Sequence, residues 1–129
     1  MDTFQVKSHD RSEMIDITKE VGKAVANSSV RDGICTIFIP HTTASVTINE
    51  NADPDVVKDM MMSLDKLIPW HDGYHHFEGN SAAHIKSSMM GFSQQVIIQR
   101  GQLVLGTWQG IYLCEFDGPR HRKVLVKCQ

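Results

Sequence analysis

Phe4 and Val6 alternate with polar neighbours, which predicts a strand near residues 3–8, because successive side chains of a strand face opposite ways. Asp10 and Glu13 then have the spacing of a capping box. Met14, Ile17, Val21, Ala24 and Val25 recur on one helical face, so a first helix is predicted over residues 12–27. Asn27, Ser28, Ser29, Asp32 and Gly33 break that pattern, and the apolar run over residues 34–39 reads as a buried strand ended by Pro40. Val46 and Ile48 alternate with Thr47 and Asn49 in a further strand. Asp53 followed by Pro54 is an N-cap with proline at the first helical position. Val57, Met60, Met61, Leu64, Leu67 and Ile68 form one apolar face behind it, and Pro69 closes the helix. At this periodicity Met60, Met61 and Met62 read as core packing rather than as an adaptable binding surface.

Residues 69–81 carry His71, His75 and His76 among the breakers Gly73 and Gly79 and read as a long loop, a kind of segment often tied to function. Asn80 or Ser81 can cap a short helix running to Met90 and stopped by Gly91. Four further strands are expected around residues 96–98, 103–105, 111–116 and 124–126, connected as an antiparallel meander, with a hairpin turn at Asp117, Gly118 and Pro119. The fold class is α+β, in a single domain, since 129 residues suit one core.

Composition narrows the function classes. Thirteen Lys and Arg against fifteen Asp and Glu give a net charge of −2, so bulk electrostatic capture of nucleic acid is not expected. The densest basic stretch, Arg120 to Lys123, falls at the expected turn. Cys35, Cys114 and Cys128 form no CxxC and lie in apolar strand-like runs, which points to buried thiols and a reducing compartment. The first residues lack the basic start and apolar core of a signal peptide, and no apolar run approaches the ~20 residues that span a bilayer. A soluble, cytoplasmic protein is expected.

The chemical clue is histidine clustering. His71, His75, His76 and His84 fall within fourteen residues, and His41 follows a buried strand. Imidazole suits a catalytic zinc site, which takes three protein ligands and keeps one position open, although no HExxH or zinc-finger spacing is present. The competing reading is that the loop histidines are merely polar and His41 a satisfied strand-end residue. If a metal is bound, His84 is the first choice because a helix aims its ring, and His41 is next. Glu50, Asp53, Asp55 and Asp59 form an acidic group, in which Asp55 and Asp59, four apart on one helical face, could hold magnesium through water and phosphates, although Asp53 and Asp55 are also explained by helix capping and dipole. Glu50 escapes that explanation and is the candidate general base. The helix start at Asn80 and the guanidinium of Arg120 are candidate anion donors, each with an ordinary alternative as a cap or a solvated charge.

The segments PHTTASVTINENADPDV (40–56), HFEGNSAAHIKSS (76–88) and GQLVLGTWQGIYLCEFDGPR (101–120), with the following RKVLV, resemble the YjbQ-like family over nearly the whole chain. Some members of that family are described as secondary thiamine phosphate synthases. The resemblance implies an α+β, β-sandwich-like fold of antiparallel or mixed sheets with two main helices and one short helix. It also implies a homotrimer and a histidine metal site that falls on His41, His76 and His84. It is this resemblance that favours His76 over His75. It further implies that Glu50, Asn51, Asp53, Asn80, Gln109, Glu115 and Arg120 are site or supporting residues; Trp108 reads as packing, because its neighbours Leu103, Leu105 and Ile111 belong to strands.

The expected function is a metal-binding enzyme with thiamine-phosphate-synthase-like activity on a small phosphorylated ligand, in which Glu50 or Asp53 handles protons and Asn51, Asn80, Gln109 and Arg120 bind substrate. The metal is expected to be zinc, or magnesium with a pyrophosphate substrate. A metal-dependent hydrolase and a non-catalytic metal or metabolite-binding module are the rival readings.

Overall fold

Alternation of apolar residues divides eight strands between two sheets, with three helices against them. A computed structural model describes residues 1–129. In chain order the elements are β1 (Asp2–Lys7), β2 (Glu13–Asp16), α1 (Thr18–Ser28), β3 (Gly33–Phe38), β4 (Ala44–Glu50), α2 (Pro54–Leu67), α3 (Ser81–Met90), β5 (Ser93–Gln99), β6 (Gln102–Leu103), β7 (Gln109–Glu115) and β8 (His121–Cys128). One sheet has the order β1-β8-β3-β5-β6 and the other β2-β7-β4, and every pairing is antiparallel. This is the expected α+β class. No helix is long and apolar enough to cross a membrane.

The main core lies between the sheets. Cys35 and Ile37 of β3, Val124 and Val126 of β8, Val46 of β4, and Ile111 and Leu113 of β7 meet the buried face of α1, formed by Val21, Ala24 and Val25. The intervening residues of β7, Tyr112 and Cys114, enter a second cluster with Ala83 of α3 and, at its edge, Val57, Met61 and Leu64 of α2. β7 is therefore covered on both faces, and its apolar run is continuous rather than alternating.

Three expectations are corrected. The predicted first helix begins late, because residues 13–16 pair with β7 as a strand and Met14 packs into the second cluster rather than beside Ile17. Asp16 accepts hydrogen bonds from the Thr18 N–H and hydroxyl at 2.9 and 2.6 Å, turning the chain from strand to helix. The C-terminal strands are not a meander. β7 and β8 lie in different sheets, so the 117–119 turn is a crossing between layers rather than a hairpin. Helix α2 starts as expected, with the Asp53 carboxylate accepting from Asp55 N–H at 2.9 Å, but none of its residues is fully buried and Met62 is half exposed. It lies over the sandwich as an outer cover rather than as part of its main core.

A buried ionic clamp secures the crossing. Arg122, near the start of β8, donates from Nη2 to Glu115 at the end of β7 at 2.5 Å and from Nε at 2.8 Å, with both side chains almost wholly buried. The same Nη2 reaches the Thr43 carbonyl and hydroxyl at 3.2 and 2.8 Å. Ser8 donates to Glu115 at 2.7 Å and accepts from Arg120 N–H at 2.8 Å, while Asp117 N–H donates to Glu115 at 3.0 Å. Burial alone pushes the Glu115 carboxyl upward. The hydrogen bonds from Arg122, Ser8 and Asp117, with the guanidinium charge, outweigh that and hold it below its ordinary value.

Replacing Arg122 by Met strands the buried carboxylate and is expected to cost about 3–5 kcal/mol in urea unfolding at neutral pH. Because the folded-state pKa of Glu115 is depressed, its contribution is present above the unfolded carboxyl value and is lost as pH falls through the folded one. The stability gap between wild type and Glu115→Gln should accordingly close in acid; a gap constant with pH would contradict this account. Gly110 offers a separate test. A Cβ there would lie 2.6 Å from Asn51 Nδ2 and 2.8 Å from its Cβ, so Gly110→Ala should cost about 1–3 kcal/mol, and less in an Asn51→Gly background.

Candidate functional site

Arg122, with Thr43 and Asp117 around the clamp, lines an open cavity of about 560 Å³ whose lining includes no hydrophobic residue. Three segments build its walls. The connection from β3 to β4 supplies His41, Thr42 and Thr43; the loop into α3 and its first turn supply His76, Glu78, Asn80 and His84; the inter-sheet turn and β8 supply Asp117, Arg120 and Arg122. Thr43 is held by Arg122, and Phe116 N–H donates to the Thr43 carbonyl at 3.2 Å, so the segment bearing His41 is fixed from below.

The three histidines singled out from the sequence line this one cavity, in two different settings. The His76 and His84 rings stand edge to face, 5.7 Å between centroids, and the Glu78 carboxylate lies 3.8 Å from His76 Nε2. His41 Nε2 instead accepts a hydrogen bond from the Lys123 backbone N–H at 2.8 Å. A neutral ring accepting at Nε2 carries its proton on Nδ1. Burial and then the positive charge of Arg122, reinforced by Lys123 and Arg120 and opposed by Glu115, lower the His41 pKa and keep the ring neutral.

Metal–nitrogen bonds of roughly 2.0–2.1 Å put the ring centroids of two imidazoles sharing one ion roughly 5–6 Å apart. His76 and His84 fit such a pair. No group of three His, Cys, Asp or Glu side chains is gathered tightly enough to hold an ion by itself. His41 could join only by giving up the Lys123 hydrogen bond, since a ring that ligates at Nδ1 while accepting at Nε2 would have to be an imidazolate.

Asn80 and Arg120 also reach the cavity, though not as simple reading of the chain suggests. Asn80 occupies the cap position of α3 without capping it; its Nδ2 donates to Asp117 at 2.9 Å, which leaves the first-turn N–H groups of α3 uncapped by that side chain. Arg120 donates to the Asp117 carbonyl from Nε at 2.8 Å and to its carboxylate from Nη2 at 3.0 Å, with its remaining N–H groups uncommitted to these bonds.

Glu50, Asn51, Asp53 and Gln109 do not line the cavity. β4 and β7 pair Ala44 with Glu115 near the clamp and Glu50 with Gln109 six residues further on, roughly 20 Å away at strand rise. There the side chains of Asn51, Asp53 and Gln109 make contacts within the fold. Asn51 N–H donates to the Trp108 carbonyl at 2.9 Å and its Nδ2 approaches Asp16 at 3.4 Å, while the Gln109 side chain accepts from Gly106 N–H at 2.8 Å. The Glu50 carbonyl accepts from the Tyr112 hydroxyl at 2.9 Å, and Asp53 caps α2. Trp108, expected among the strands, is 63% exposed in the turn before β7. Sequence reasoning missed Glu78, Asp117, Thr43 and Arg122; HTTA, EGN and DGPR within the quoted segments contain three of them, and Arg122 stands in the basic stretch and opens RKVLV.

Comparison with known proteins agrees with this architecture. The chain is 56% identical over 126 residues to the UPF0047 protein YugU of Bacillus subtilis, covering 97% of this chain and 96% of that one. It is 53% identical over 124 residues to the UPF0047 protein MJ1081 of Methanocaldococcus jannaschii, covering 96% and 90%. A crystal structure of an uncharacterised YjbQ/UPF0047 protein from Clostridium acetobutylicum superposes with a TM-score of 0.98 at 56% identity over the full length of both chains. A YjbQ-like protein of unknown function from Sulfolobus solfataricus gives 0.95 at 32% identity, covering 98% and 94%. With the family description "UPF0047 protein YjbQ-like" matching residues 2–129 as well, the chain belongs to the YjbQ-like UPF0047 family.

Proposed function

We propose that the protein is a metal-dependent enzyme acting on small phosphorylated molecules, with thiamine-phosphate-synthase-like chemistry that joins a pyrimidine bearing pyrophosphate to a thiazole phosphate. The observation that carries the reading is the convergence of His41, His76 and His84 with Arg120 and the start of α3 on one polar cavity, whose volume of about 560 Å³ suits a ligand of that size.

His76 and His84 would hold a divalent ion, zinc or magnesium, with Glu78 beside them; when bound, it would neutralise charge on the departing pyrophosphate. The chain's own groups do the rest. The N–H groups of Arg120 not committed to Asp117 bind phosphate oxygens, the N-terminal end of α3 adds its positive dipole, and neither needs reorganisation as charge develops. His41, neutral and anchored by Lys123 N–H, presents a donor rather than a charge. Glu78 is the carboxylate within this cavity that is free of Arg and Asn partners, so within one chain it is better placed than Glu50 or Asp53 to take a proton. The homotrimer belongs to the same proposal. The outer face of the five-stranded sheet exposes Phe38 and Ile97, which assembly would cover.

The separation of Glu50 and Asp53 from the histidines gives weight to a second reading, a metal and phosphate-binding module without turnover. Isothermal titration with zinc should show affinity falling about tenfold or more in His76→Ala and His84→Ala. Metal-loaded wild type should form thiamine phosphate from the two phosphorylated precursors, and His84→Ala should not. Zinc and phosphate binding without product above the His84→Ala background would leave the binding module and remove the enzyme. Light scattering should return three times the chain mass; a monomer at working concentration would contradict the trimer.

A further inference from the structure

Away from the cavity, β3 and β8 bring two thiols together. Cys35 and Cys128 are direct partners in the β3–β8 register. Ile34 and Gln129, the next pair along, exchange both backbone hydrogen bonds at 2.8 and 3.0 Å, so Cys35 and Cys128 occupy the adjacent pair that lacks them. At such positions of an antiparallel ladder the Cα atoms lie about 4.5 Å apart, inside the ~4.4–6.8 Å range that a disulfide bridges. The register is held firmly here. A side chain at Gly33 would collide with the Gln129 carbonyl, so the end of β8 is seated directly against the start of β3.

We propose that Cys35 and Cys128 form an oxidative modification site, closing to an intramolecular disulfide when the protein meets a hydroperoxide. Cys35 is fully buried and Cys128 is half-buried, so solvent oxidant reaches Cys128 first. The Cys128 thiolate attacks one peroxide oxygen, the O–O bond breaks, and the sulfur becomes a sulfenic acid as water leaves. Cys35 sulfur then attacks the Cys128 sulfur, the S–O bond breaks, and the Cys35 proton leaves with the hydroxyl as a second water. Two thiols are oxidised by two electrons in all, and one hydrogen peroxide is reduced to two waters.

The pairing also accounts for why oxidation should stop there. Burial, with Cys128 beside it, raises the Cys35 pKa to about 12, so Cys35 reacts through proximity rather than as a free thiolate. Cys114 lies in the other sheet, is buried, and has no cysteine opposite it, since its register partners are Met14 and Ser45. The linked pair sits at the opposite end of β8 from Arg122, six residues or roughly 20 Å along the strand, and is independent of the function proposed for the cavity.

The test is peroxide treatment of the native protein followed by denaturation, thiol titration and peptide mapping. Of three free thiols in the reduced chain, one should remain, with a mass loss of about two hydrogens and a tryptic fragment in which Cys128 is joined to the peptide holding Cys35. Cys128→Ser, a change at a half-buried position, should keep both remaining thiols under the same treatment. Survival of all three thiols in wild type, over-oxidation of Cys128 by two oxygens without a link, or a bridge joining two chains would each overturn the proposal.

Discussion

The ion pair between Glu115 and Arg122 is the constraint on which the site depends. It joins two strands that belong to different sheets, and it does so where water is excluded, so neither charge tolerates loss of the other. Ser8, Thr43 and Asp117 satisfy the remaining lone pairs and donors. Thr43 and Asp117 lie at the ends of two of the three segments from which the cavity is built. A buried pair is a weak source of net stability, but it is an exacting one, because its geometry admits only one placement of the surrounding chain.

That placement explains how a cavity without hydrophobic lining sits beside an apolar sandwich. β7 is buried on both faces and cannot itself present polar chemistry to solvent, so the functional groups fall on the connections that leave the sheets at one end. His41 follows β3, Arg120 precedes β8, and His84 occupies the first turn of a helix that packs on β4. Loops carried by a rigid scaffold can vary in chemistry while their positions are kept. The opposite end of the same strands is built differently. Its amides and carboxylates are spent on one another and on the backbone, as in the Asn51–Asp16–Thr18 network beside Gly110.

Local features of this fold were legible along the chain. Asp53 and Pro54 start α2 because an N-cap and its following proline act within one turn, and Gly91 ends α3 at φ 94°, a backbone conformation that glycine adopts freely. The strand-to-helix switch at residues 13–18 was not legible. A spacing of three and four between Met14, Ile17 and Val21 is common to one helical face and to a short strand leading into a helix, and only the pairing with β7 decides between them. The turn at 117–119 has the same ambiguity, since Asp-Gly-Pro reverses a chain equally well within a sheet or between sheets.

For the site, residue types and motifs were enough to nominate His41, His76, His84, Asn80 and Arg120, and also Glu50, Asn51, Asp53 and Gln109, because a motif records that a position matters without recording why. Tertiary structure separated the two groups. Folding carries His41 to Lys123, eighty-two residues away, and so decides which ring nitrogen bears a proton. It likewise brings Asp117 and Arg120, rather than Glu50, to the cavity that His76 and His84 line. Elements and candidate chemistry were determined by short-range periodicity and residue type. Which of those candidates share one space depended on strand register and sheet assignment, which arise from contacts between residues far apart in the chain.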